Sequence, residues 1–228
     1  RTLLGGDFYD VVETADGTLH AVIGDVCGHG PDEAALGVCL RVAWRSLVMA
    51  GLADLTLFPV LQQLLVAERR TDEIFTTACM ITLAPGSSTA RVVSAGHPPT
   101  SLLDSGKAGG VSEALPSSTG PALGLTSSPT WHTAEIQLSG PWGVLLYTDG
   151  IVEGHIDNGS ERLGVERLTK IINSQVGNGL AGADPDRQTA RGVHRREAVR
   201  VREVVADEDR AAAAIRRRSE EVGDDAAL

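Results

Sequence analysis

The sequence is short of cysteine, of basic charge and of long apolar runs, and each shortage removes a class of protein. Its 228 residues hold three cysteines, Cys27, Cys39 and Cys79. An odd number without paired spacing argues against a disulfide framework or a four-ligand zinc site, and favours a reducing, cytoplasmic compartment. Lys and Arg number 20 against 30 Asp and Glu, a formal charge of −10. General attraction to nucleic acid or to an anionic membrane surface is therefore not expected. No stretch approaches the roughly 18 consecutive apolar residues of a membrane helix. The opening Arg1-Thr2-Leu3-Leu4 carries no signal-peptide pattern, and it reads as the start of a piece cut from a longer, multidomain protein. There is also no G-x-S-x-G elbow and no Walker-type phosphate loop, so neither a serine nucleophile on a strained turn nor a nucleotide cradle is suggested.

What is present is a globular composition. Apolar residues make up 42% and charged residues 22% of the chain, with a mean hydropathy near zero, which predicts one soluble domain over residues 1–228 with a single sizeable core. Residues 19–25 read as a strand running into the turn Gly28-His29-Gly30. A helix follows: Pro31 suits a first helical position, Asp32 and Glu33 suit its positive end, and Leu36, Leu40, Ala43 and Leu47 recur at helical spacing until Gly51. A second helix is predicted over 56–70, with Thr56 as its cap.

From Phe75 to Trp142 the chain becomes short β-type runs, 75–83, 89–95, 100–103, 111–115 and 131–138, punctuated by Gly and Pro. Residues 143–148 form another, ending on Asp149, and 163–173 read as an amphipathic helix. Many short strands with helices in groups predict an α+β fold with antiparallel sheets rather than a doubly wound parallel one. Beyond residue 176 the texture changes. Residues 187–218 hold ten arginines against five acids, a local charge of +5, and the last residues look like a turn leading into a final strand that begins at 224.

Four acidic sites share one pattern, a glycine turn meeting a strand end: Gly5-Gly6-Asp7, Gly24-Asp25, Thr148-Asp149-Gly150 and Gly223-Asp224-Asp225. Any one alone is an ordinary turn. Brought together by a sheet, the carboxylates would repel one another and require a cation. An oxygen-only donor set without His/Cys spacing favours Mg²⁺ or Mn²⁺ over zinc, and glycine beside the acids lets a main-chain carbonyl join it. Two such ions would activate a water for attack on phosphorus without a covalent enzyme intermediate.

Five ordered segments then resemble the SpoIIE-like bacterial branch of the metal-dependent protein phosphatase (PPM) family. They are Gly5-Gly6-Asp7-Phe8-Tyr9-Asp10, Gly24-Asp25-Val26-Cys27-Gly28-His29-Gly30, Ser94-Ala95-Gly96-His97-Pro98-Pro99, Gly120-Pro121-Ala122-Leu123-Gly124-Leu125 and Leu146-Tyr147-Thr148-Asp149-Gly150-Ile151-Val152-Glu153. The resemblance implies an αββα sandwich of two antiparallel sheets flanked by helices, with a two-ion Mn²⁺ or Mg²⁺ site at one edge of the sheets. It implies hydrolysis of phosphoserine or phosphothreonine in a regulatory protein, usually an anti-sigma-factor antagonist, and a sensor domain upstream. It also implies the ligands: Asp25 bridging both ions, the Val26 carbonyl, Asp149 and Asp224 (or Asp225), with Asp7 in the same cluster.

Other polar residues divide less sharply. His29, at the start of the first helix, suits either a general acid for the leaving oxygen or a turn-stabilising role. His97 and Cys27 read first as structural, and Asp10 and Glu153 are not expected to be ligands. Residues 176–223 depart from the family pattern, so a catalytically weak domain acting as a partner-binding regulatory switch stands as the alternative. A homodimer is left open, and a metal-dependent nuclease would need a basic groove that only the arginine-rich stretch offers.

Overall fold

The structure, a computed structural model, describes residues 5–52, 54–98, 100–104, 111–114, 120–138, 142–154 and 162–177. Contacts divide the chain into two compact units. One comprises residues 1–101 and 114–139; the other comprises residues 102–113 and 140–228.

The first unit is built on a five-stranded sheet. Its strands are β1 (Gly5–Glu13), β2 (Leu19–His29), β3 (Thr76–Leu83), β4 (Thr89–Ala95) and β7 (Ala134–Gln137), in that spatial order and antiparallel throughout. Between β2 and β3 the chain forms α1 (Pro31–Met49), a 3₁₀ turn (Asp54–Thr56) and α2 (Leu57–Glu68). Pro31 opens α1 where its missing N–H costs nothing, and Gly51, at φ +88°, lies just past its end. Alternation sets the faces. Phe8 and Val12, Val22 and Val26, and Ala78 and Met80 pack with Leu36, Leu40, Trp44 and Val48 of α1 and Leu57, Phe58, Leu61 and Leu65 of α2 in one core. Each large apolar side chain buried there contributes roughly 1.5–3 kcal/mol. Trp44 Nε1–H points at Met80 Sδ, 3.2 Å away, and Phe58 meets Trp131 at a ring-centroid distance of 5.6 Å.

Two ion pairs tie α1 to this sheet. Asp10, 6% exposed, accepts a two-pronged contact from Arg45 and a longer one of 3.5 Å from Arg41. Burial opposes ionisation of Asp10, but the Arg45 fork, the Val11 N–H and the charges of both arginines outweigh it and hold the carboxyl below the usual range. At the β1–β2 turn, Asp16 takes hydrogen bonds from the Thr14 hydroxyl and from the hydroxyl and N–H of Thr18, which push its pKa down to about 2.

A three-stranded sheet, most of it in the second unit, has β5 (Ser101–Asp104) between β6 (Val111–Ala114) and β8 (Trp142–Leu145). The short helix α3 (Asp149–Glu153) and α4 (Gly164–Gly177) follow. Leu145, Tyr147, Leu163 and Leu168 form a small core, with Ile151 and Val152 against them.

The antiparallel α+β class is as expected, and four local readings change. Residues 5–13 form one strand that begins at Gly5, where a glycine turn meeting a strand end at Asp7 is expected. β2 does not end at Asp25 but runs on to His29, because Cys27 N–H still bonds the Phe75 carbonyl at 3.0 Å. The strand expected over 143–148 stops at Leu145. Thr56 sits in helical backbone at the end of the 3₁₀ turn and makes no side-chain cap hydrogen bond. The arginine-rich stretch and the final strand lie outside the described residues.

Candidate active site

The β1–β2 register places Asp7 directly opposite Asp25. Both therefore sit on one face of the sheet, the face away from α1 and α2, with Cβ atoms about 4.5–5.5 Å apart. Neither is at a strand end: Asp7 is the third residue of β1 and Asp25 the seventh of β2. Glycine makes the close approach here. A Cβ on Gly6 would stand 2.5 Å from the Val26 carbonyl oxygen, and one on Gly24 would stand 2.4 Å from the Phe8 ring. Only hydrogen fits at either place, so the Val26 carbonyl lies against the residue preceding Asp7. On its other side Asp25 pairs with Thr77 of β3.

Past Val26 the register jumps. Gly6 pairs with Val26 but Gly5 pairs with His29, so an irregularity leaves Cys27 and Gly28 without β1 partners within the last residues of β2 before α1. Gly28 at φ +100° and Gly30 at φ +140° take backbone conformations that side chains resist. His29, between them, is exposed two residues before α1. Cys27 accepts the Phe75 N–H at 3.2 Å through its sulfur, which gives it a structural job there.

Asp149 is the first residue of α3 in the second unit, exposed, following Thr148 in extended backbone. Asp224 and Asp225 lie outside the described residues. Among the described residues no three of His, Cys, Asp and Glu gather into a ready-made metal cluster. What the sheet does bring together is the pair Asp7 and Asp25, an all-oxygen donor set with a backbone carbonyl beside it. That chemistry suits a hard divalent cation, and it amounts to part of a site.

Two other groups acquire partners that sequence reading did not find. His97, 2% exposed, has Nδ1 3.0 Å from the Thr77 hydroxyl. The segment Gly120–Leu125 is clamped by α2 and the residues after it. Gln62 accepts the Gly124 N–H at 2.6 Å and donates to Thr126 O at 2.9 Å, and Arg69 donates to the carbonyls of Asp72, Ile74 and Gly124. Leu123 and Thr76 exchange two backbone bonds of 2.9 Å. Nothing in the local spacing of Gln62, Arg69 or Thr77 announces these roles, because each depends on a partner 20 or more residues away. Asp10, three residues from Asp7, is occupied by Arg45 on the opposite face. Cys39 and Arg45 are separated by five residues, the spacing of a cysteine-based phosphate loop, but both lie inside α1.

The sequence model described as stage II sporulation protein E (SpoIIE) matches residues 15–218. The chain belongs to the SpoIIE family, within the metal-dependent protein phosphatases. It is 24% identical over 153 residues to phosphoserine phosphatase RsbP of Bacillus subtilis (strain 168), an alignment spanning 66% of this chain and 37% of that protein. The SiaA PP2C domain of Pseudomonas aeruginosa superposes with a TM-score of 0.64 at 18% identity, over 76% of this chain and 68% of that one. RsbX, solved in complex with magnesium, superposes with a TM-score of 0.52 at 14% identity, over 74% and 79%. These likenesses show the fold of this family member to be of the PP2C type.

Proposed function

We propose that this chain is a metal-dependent protein phosphatase that hydrolyses phosphoserine or phosphothreonine in a regulatory protein. The observation that carries the reading is the placement of Asp7 opposite Asp25 on neighbouring strands, with the Val26 carbonyl brought up by Gly6. Like charges so placed destabilise a sheet, and a divalent cation between them removes the conflict. Family membership and the phosphoserine phosphatase relative support it, and the magnesium complex of RsbX supports divalent-ion use.

Within this reading residues 1–228 act as one catalytic domain. Asp25, the Val26 carbonyl, Asp149 and Asp224 would hold two Mn²⁺ or Mg²⁺ ions, with Asp7 in the same set. When bound, such ions polarise a phosphoryl oxygen and lower the pKa of a water. The chain's own part is positional. The paired strands hold Asp7 and Asp25 at opposed positions, and His29 stands exposed between Gly28 and Gly30 before α1. There His29 donates a proton to the serine oxygen as the phosphorus–oxygen bond breaks and water supplies the new one. The substrate reading is a phosphorylated anti-sigma-factor antagonist in the cytoplasm, under the control of an upstream sensor domain, with a homodimer left open.

Release of phosphate from a phosphoserine protein, with Mn²⁺ and with EDTA, tests this. Turnover should need the metal and fall about 100-fold or more in Asp25→Asn. Turnover that persists in EDTA would sink the metal reading. Failure of Mn²⁺ to support turnover of any phosphoserine protein would favour the partner-binding switch instead.

A further inference from the structure

We infer that Thr77 and His97 form a positioning pair behind Asp25, a side-chain row that orients the Asp25 carboxylate toward the cation. The inference rests on the phosphatase reading and adds two residues to it, neither of them a ligand.

Three observations carry it. First, register makes Thr77 the β3 neighbour of Asp25, directly opposite it, so the two side chains stand on the same face at about 4.5–5.5 Å between Cβ atoms. Second, His97 Nδ1 lies 3.0 Å from Thr77 Oγ1, and His97 is 2% exposed, so the imidazole has a fixed place in the interior. Third, the backbone is built to deliver that ring. Gly96 forms a parallel bridge with Ala78, donates its N–H to Gly120 O at 3.0 Å and sits at φ +64°. A Cβ there would come within 2.9 Å of the Ala122 side chain.

The chemistry follows from counting hydrogens. A threonine hydroxyl has one hydrogen to give. With the hydrogen on His97 Nδ1, the ring donates to Thr77 Oγ1 and leaves the hydroxyl hydrogen for an acceptor on the same face. The acceptor that register supplies is the Asp25 carboxylate. The opposite tautomer would spend the hydroxyl hydrogen on the ring. A donor of this kind fixes the rotamer of a ligating carboxylate, and loss of such outer partners typically weakens metal binding by about 10–100-fold.

Calorimetric titration with Mn²⁺ alone tests the row without any turnover, beside metal-free melting curves. Thr77→Val removes the hydroxyl at nearly constant shape. It should weaken Mn²⁺ binding by about 10-fold or more, while Thr77→Ser and His97→Asn, which keep the donors, should stay within about threefold of the parent. If Thr77→Val does not fold, Thr77→Ala carries the same comparison. Parent-like Mn²⁺ affinity in a folded Thr77→Val or Thr77→Ala, with binding lost in Asp25→Asn, overturns the positioning role and leaves the metal site standing. Parent-like affinity in Asp25→Asn overturns the metal site and the positioning role together.

Discussion

Replacing Gly6 by alanine is a perturbation whose size can be worked from the backbone. The new methyl would stand 2.5 Å from the Val26 carbonyl oxygen and 2.6 Å from Val26 Cβ. Unstrained carbon–carbon contact is about 3.5–4.0 Å, so about 1 Å of separation must be found. β1 is not free to supply it. It is paired to β2 from Gly6↔Val26 to Glu13↔Leu19, and α1 presses from the other side, where a Cβ on Gly37 would lie 2.6 Å from Gly6 O. Overpacking of this kind costs about 1–3 kcal/mol. At about 2–4 °C per kcal/mol for a chain of this length, the melting midpoint should fall by about 2–12 °C. Misplacing groups at a reaction centre by about 1 Å costs about 100-fold in rate, so Mn²⁺-dependent kcat/KM should fall by about that factor. Gly86→Ala is the control: its φ is positive, at +67°, unlike that of Gly6, and nothing stands within 4 Å of the new methyl. It should lower the midpoint by turn strain of about 1–2 kcal/mol and leave kcat/KM unchanged. A Gly6→Ala protein with the parent's midpoint and kcat/KM would refute the reasoning.

Acid should destabilise the fold through Asp10 and Asp16. Both carboxyls are held below their unfolded range, so their contribution is complete above about pH 4 and is lost as pH falls through the folded values. Asp10→Asn should flatten this acid limb in urea titrations run between about pH 2 and pH 5. Arg45→Met, which strips Asp10 of its main partner, should cost about 1–3 kcal/mol at neutral pH by chemical denaturation. Burial pushes the Cys79 thiol up to about 11. A thiol reagent on the native chain should therefore label Cys27 and Cys39, both half-buried, and spare Cys79 until unfolding. Gly37→Ala drives α1 against the Gly6 carbonyl and Gly6→Ala drives β1 away from Val26, so both strains act through the Gly6 backbone and a double-mutant cycle should depart from additivity by about 0.5 kcal/mol or more.

The helices and most strands were legible because their signals are local. Pro31, Asp32, Glu33 and the spacing of Leu36, Leu40 and Leu47 mark α1, and β4 occupies residues 89–95 as read. The extent of β1 is not legible although buried Phe8, Asp10 and Val12 alternate with more exposed residues, because the two glycines and an acid at its start look like a turn. The same turn-like look hid that Asp25 lies well inside β2. Asp7 and Asp25 were legible as acids beside glycine, but their relation was not. Pairing is a property of two strands, and which residue of one faces which of the other is set by the hairpin turn and the irregularity at Gly5. The clamp of Gln62 and Arg69 on Gly124 was illegible for a simpler reason: their partners are main-chain atoms, which any residue would supply.

The contrast between Asp10 and Asp7 says why register decides the functional reading. They lie on the same strand, have the same chemistry and are three residues apart. Alternation turns Asp10 toward α1, where Arg45 answers its charge with a guanidinium fork; such a pair tethers a helix. Asp7 is turned the other way, and there the neighbouring strand presents a second acid at the opposing position. A fold selected for stability alone would place a Thr or Lys opposite an Asp, since like charges at directly opposed positions weaken a sheet. Local conflicts of this sort mark sites where something other than folding sets the residue. Here glycines at Gly6 and Gly24, which give up side-chain packing to let backbones touch, surround the conflict on both strands. Three departures from good strand design at one place are what the proposed phosphatase site would account for together.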